Sequence, residues 1–245
     1  MMNKYRFNAA QRLLELILKL KSVANNKKTW EAYLEVSEWG TTKGDALLFA
    51  FELAKLANEV ENTIKNNENV EDILLGSISQ ILTLCRELNL EAQWAQYTNR
   101  ITEPAIVALK AYGAFFENVC SEKKISDEDF KIITDNLNEL NEAILSIENE
   151  ELREILLSIT ESVHRATFLY RVSGAKAFTE TFDLSVGKLI ISYKRASFNT
   201  DNEQDDHILK KTWALITTIS NIASKTNDIL SLPHNVVKAI GILDS

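Results

Sequence analysis

Residues 126–147 read SDEDFKIITDNLNELNEAILSI, and their spacing decides the fold. Phe130, Ile133, Leu137, Leu140, Ile144 and Ile147 recur by three and four positions without a miss. On a helical backbone that rhythm puts all of them on one face and makes a heptad seam. A half-buried strand would alternate by two instead. Ser126, with Asp129 three positions on, makes a capping box with a shorter acid, and the acids at 127–129 suit the positive end of the helix dipole.

The same rhythm continues in both directions. After a break near 148–151 it resumes at Leu152, Leu156, Ile159, Val163, Ala166 and Tyr170. A segment of about 175–197 carries Phe178, Phe182, Val186, Leu189 and Tyr193, and Ser173-Gly174 either separates the two helices or lies inside one. Residues 199–206 read as an acidic loop. A last long helix follows, with Ile208, Leu215, Ile222 and Ile229 seven apart, and Pro233 opens a short terminal one. Towards the N-terminus, helices are predicted over 8–24, 28–38 and 45–65, the third with the stripe Leu47, Ala50, Ala54, Ala57, Ile64. The next carries Leu74, Ile78, Ile81, Cys85 and Leu88. A short one follows with Trp94 and Tyr97. A third begins at Thr102-Glu103-Pro104, where threonine caps and proline is tolerated in the first turn. Gly113 in its stripe would let another helix approach closely.

Only 7 Gly and 2 Pro occur among 245 residues, too few for the turns of a sheet protein of this size. The expected fold is therefore all-α, a multi-helix bundle of about nine or ten amphipathic helices. The expected division falls at 121–125, giving helical halves 1–122 and 123–245, either one domain or two packed together.

The net charge of −8, split −3 and −5 between the halves, argues against a general nucleic-acid binder. Cys85 and Cys120 sit among apolar residues and read as free, buried thiols, which points to a reducing, cytoplasmic compartment. No stretch approaches the roughly 18 apolar residues of a membrane span. From Met1 to Lys28 there are seven Lys/Arg and one acid, Glu15. That basic start fits the first helix of the bundle, or a helix lying on a membrane surface.

Candidate chemistry is sparse. Glu161 and His164 have the Glu-x-x-His spacing of di-iron bundles, but no second such pair exists, so no metal or cofactor is expected. His207 and His234 stand at helix starts. The Arg-to-His spacing of helical ribonucleases is absent, since Arg153 and Arg195 lie far upstream of His164 and His207. There is no glycine-rich phosphate loop, and the two cysteines lack zinc-ligand spacing. One asymmetry remains. Residues 123–161 hold eleven acids and four bases, whereas 164–195 hold six bases and two acids. Complementary faces of neighbouring helices explain this, and so would a strip for an anionic partner built from Arg165, Arg171, Lys176, Lys194 and Arg195.

Residues 77–94, SISQILTLCRELNLEAQW, resemble helical segments of bacterial phage-abortive-infection proteins, in common residue types and with no diagnostic group. Long seams and the lack of a chemical site lead to an expected role in protein–protein interaction or self-association without catalysis. Such a protein could be an assembly subunit, an antitoxin- or immunity-like partner, or a phage-defence accessory. The alternative is an RNA-binding or RNA-processing helical protein that uses the basic strip of 164–195.

Overall fold

The computed structural model describes residues 6–37, 40–67, 72–118, 122–123, 125–174, 176–178, 181, 184–188 and 203–226. The fold is all-α: the only named strands among these residues, Arg6–Phe7 and Glu122–Lys123, are two residues each. The chain divides into two compact units, Met1–Glu122 with Arg171–Gly174, and Lys123–Tyr170 with Ala175–Ser245.

The first unit contains α1 (Ala9–Ser22), α2 (Thr29–Ser37), α3 (Lys43–Lys65), α4 (Asp72–Arg86), α5 (Ala95–Thr98) and α6 (Glu103–Phe115). Local chemistry sets the starts. Asn8 and Gln11 close a reciprocal capping box on α1, as do Thr42 and Asp45 on α3, and Thr102 caps α6 with Pro104 in its first turn. Gly40, at φ +84°, turns the chain into α3 where a Cβ would stand 2.4 Å from that of Asp45. Only glycine offers both the conformation and the space.

Packing follows the apolar stripes. Helix α1 contacts both α3 and α6, and Leu13, Ile17 and Leu20 of α1, Leu53 and Leu56 of α3 and Leu109 of α6 are all nearly or fully buried. Each such side chain contributes about 1.5–3 kcal/mol on leaving water. Gly113 does admit a neighbour, because Gln11 of α1 occupies the place its Cβ would take. The connector after α1 pairs with the connector after α4: Trp94 N–H donates to Lys27 O (2.8 Å), Thr29 N–H to Ala92 O (2.9 Å) and Trp30 N–H to Leu90 O (3.1 Å). The Trp94 indole N–H donates to Leu20 O at 3.0 Å, and its ring sits against Tyr33 and Tyr97. One buried tryptophan thus ties both connectors to the end of α1.

Two expected stripes are corrected. On α3 the buried positions include Phe49, Leu53, Leu56 and Val60, while Leu47 is exposed and Ala54 half-buried. Phe51 is exposed as well, at 51%, so the inward arc is set by the stripe of Phe49, Leu53, Leu56 and Val60 together, which removes more area from water than one ring. Leu88 is exposed because α4 stops at Arg86, before it could join the stripe of Ile78, Ile81 and Cys85.

The second unit contains α7 (Asp127–Ile144), most of α8 (Glu150–Ser173) and α9 (Glu203–Thr226), with further helical residues at 176–178 and 184–188. Ile133, Leu137, Leu140, Ile144 and Ile147 pack with Leu152, Leu156, Ile159, Val163 and Ala166, and with Ile208, Leu215 and Ile219 of α9. Ser126 caps α7, its Oγ accepting from the Asp129 N–H. Gly174, at φ +66°, ends α8 and answers the question left open at Ser173-Gly174. Helix α9 begins at Glu203 rather than after Asp206, because the acids expected to form a loop suit its dipole-positive end. Cys120 and the terminal helix expected after Pro233 lie outside the described residues.

Tyr170 closes this core. Its ring packs on Phe130 and Phe178, and its hydroxyl accepts the buried N–H of Ile125 at 2.7 Å. Tyr170→Phe removes that oxygen and strands a buried donor, so urea unfolding is expected to show a loss of about 1–3 kcal/mol. A loss near zero would mean that the bond adds nothing.

Candidate functional site

Helix α6 has an unusual surface. Between Glu103 and Glu117 its only charged residue is Lys110. Its inner side, including Ala105, Ile106, Leu109 and Tyr112, is buried as expected. Its outer side carries Val107, Ala111, Ala114 and Phe115 with Lys110 among them, all exposed, Val107 at 60%. A helix with so few charges is normally enclosed. By contrast, the exposed positions of α7 include Lys131, Asp135, Asn138, Glu139 and Glu142, with Ile132 the lone large apolar residue among them. The sequence signal for this face was the missing polar spacing along α6, and stripe counting alone passes over it.

The basic start of the chain is used inside the first unit. Arg12 is 1% exposed. Its Nε donates to Val172 O at 3.0 Å, and one terminal nitrogen bonds both oxygens of Glu59 at 3.0 and 3.1 Å. Val172 belongs to the last turn of α8, whose carbonyls have no helical donor, so the guanidinium completes that helix end. Ser173 Oγ donates to the nearly buried Glu52 at 3.0 Å and adds a second tie. Lys21 pairs with Glu103, Lys27 with Glu35 and Lys28 with Glu91. These charges hold helices and connectors together.

Glu91 takes both Lys28 (2.7 Å) and Lys43, whose ammonium also lies 5.8 Å from the Trp30 ring centre. The hydrogen bond from Lys28, then that from Lys43, hold the Glu91 carboxyl down to about 2, and the Lys28 ammonium is raised chiefly by the same bond to Glu91. Burial pushes the Cys85 thiol up to about 12, so at neutral pH it stays a thiol and a poor nucleophile.

A second arrangement is absent from any sequence motif. Lys188 Nζ donates to Ser158 Oγ at 2.6 Å, the pairing that activates a serine nucleophile in some hydrolases. Ser158, however, lies inside α8, where neighbouring N–H groups belong to the helical ladder. Among the described residues no free backbone N–H is shown beside Ser158 Oγ to stabilise an oxyanion, and Ser162 Oγ donates to the Ser158 carbonyl at 2.7 Å. The pair reads as packing.

Of the predicted basic strip, Arg165 and Lys176 are exposed, and Arg171 is half-buried in the segment counted with the first unit. Six positions of helix separate Arg165 from Arg171, about 120° short of a shared face. Lys194 and Arg195 lie outside the described residues. Glu161 is exposed and His164 half-buried, and no group of three or more potential metal ligands converges among the described residues. A crevice of about 20 Å³ lined by Asn8, Ala9, Ala10, Glu59, Val60, Thr63 and Phe116 has room for little more than one water. No described helix is long and apolar enough to cross a membrane.

Compared with protein-family models, curated proteins and solved structures, the chain finds no significant match.

Two consequences can be measured. Arg12→Lys keeps the charge and loses the planar fork, so Val172 O or Glu59 goes unserved, and about 2–4 kcal/mol of stability should be lost in urea unfolding. Glu59→Gln, at a half-exposed carboxylate, should cost under about 1 kcal/mol. Equal losses for the two would contradict this account of Arg12. For Glu91 the folded pKa lies below the unfolded value of about 4.3, so its contribution is present above that value and fades as pH falls towards 2. The Lys28 contribution is present below its ordinary pKa of about 10.4 and is lost as pH rises beyond its raised folded value. Glu91→Gln should therefore flatten part of the acid limb of the Tm-versus-pH curve, less so in high salt because all three groups are exposed. An unchanged acid limb would show that the cluster adds nothing.

Proposed function

We propose that this chain is a non-catalytic helical assembly protein that works by apolar contact with another polypeptide. The observation that carries this reading is the outer face of α6, where Val107, Ala111, Ala114 and Phe115 meet solvent on a helix with one charge in its interior. Large exposed apolar patches mark contact surfaces, and this one is interrupted by the single charge of Lys110. The described polar clusters have structural accounts: Arg12 completes a helix end, Glu91 braces two lysines, and Ser158 with Lys188 lacks an oxyanion site. An assembly subunit and an immunity-like partner are both served by a surface of this kind.

Salt separates this reading from binding to RNA through the residues around Arg165. Apolar association persists or strengthens as salt rises, whereas phosphate contacts release counterions and weaken steeply. Affinity purification of the full chain from its native cells, with nuclease treatment, should retain a stoichiometric protein, itself or another, at high salt. Mixed RNA should bind weakly at physiological salt. Tight RNA binding that collapses between low and moderate salt, with no protein retained, would overturn the reading.

A further inference from the structure

The exposed face of α6 continues onto α1. The two helices run antiparallel: Lys21 bonds Glu103 at one end, and Asn8 Nδ2 donates to Gly113 O at 2.8 Å at the other. Between these ties the α1 positions Leu14 and Leu18 lie along the seam by helical period, as do Val107 and Ala114 of α6. Leu18 is 41% exposed and Leu14 half-buried. The same period puts Glu103 and Lys110 on the Val107 stripe, so the two helices present one ribbon of apolar residues set around that charged pair.

We infer that this ribbon is covered by a second copy of the chain, packed antiparallel about a two-fold axis at Val107. The inference rests on the proposed role in assembly and supplies its partner. Charge selects the occupant. Glu103 stands four positions before Val107, and Lys110 three positions after it. Around a two-fold axis at Val107, position 107 plus n faces position 107 minus n, so Lys110 of each copy falls beside Glu103 of the other. A parallel pairing would set Glu103 against Glu103 and Lys110 against Lys110. Lys21 occupies Oε1 of Glu103, which leaves the second oxygen to accept from the Lys110 of the second copy. Ala111 and Ala114 keep the surface low enough for close helix approach. The interface is isologous, as a closed dimer requires. Two short helices cover less than the about 800 Å² per partner of a standard interface, so the dimer should be micromolar rather than tighter.

Sedimentation velocity on the full chain over a concentration series tests this. The wild type should pass from monomer to dimer by about 100 μM. Val107→Glu, on an exposed position, should weaken dimerisation at least about tenfold with Tm unchanged. Glu103→Lys and Lys110→Glu should each be monomeric alone, and their equimolar mixture should form a heterodimer, because each copy then meets the opposite charge. A variant that had merely misfolded could not be rescued by mixing. Three results overturn the inference: a wild type monomeric throughout, a dimer indifferent to Val107→Glu, or a mixture that stays monomeric. The second would leave assembly standing through another face. Failure of the wider role is read separately, from the salt response of the native complex.

Discussion

A helix can hide only the stripe of side chains that faces its neighbours, and every part of this protein follows from how each helix meets that limit. Helix α7 meets it in the ordinary way, with its leucines and isoleucines inward and mainly acids and amides outward. Helix α1 meets it with an exception. Arg12 falls on the inward arc and cannot reach water, so it needs fixed acceptors, and it finds them in a carboxylate and in the open carbonyl at the end of α8. Such a charge adds little net stability over an apolar residue of the same shape, but it tolerates one arrangement of partners. Helix α6 meets the limit on its inner side only, and Val107 and Phe115 remain exposed on the other.

Where local chemistry alone decides, the sequence was legible. The caps at Thr102 and Ser126 and the heptad stripe of 130–147 could be placed because each needs only residues a few positions apart. Misreadings came where helices compete for the same interior. Leu47 fits a helical stripe as well as Phe49 does, and only the packed neighbours of α3 show that the larger ring goes inside. Acids at 203–206 suit a loop or a first turn equally, and their place at the start of α9 depends on where the helix dipole begins.

The surface was less legible than the fold, for the same physical reason. Arg12 looked like one more cation of a basic start, because burial is a property of the assembled unit and not of its spacing. The Lys188–Ser158 contact joins positions thirty apart with no motif. The basic strip, by contrast, was drawn from a count of charges along the chain. A count takes no account of burial, and Arg165 is exposed whereas Arg171 is half-buried.

The outer face of α6 shows what a polar count can reveal when it is referred to a helix rather than to a length of chain. Twelve of the thirteen positions between Glu103 and Glu117 are uncharged, and the inner half of them is enough to fill the space between α1 and α4. Positions 107, 111 and 114 are exposed, with Val107 at 60%, so filling that core does not by itself call for apolar residues at all three. Alanine does favour the helix, but valine favours it less than glutamate or lysine would, and an exposed valine reduces solubility. The residues that fold the unit therefore account for one side of α6, and the other side is the surface on which the proposed assembly role rests.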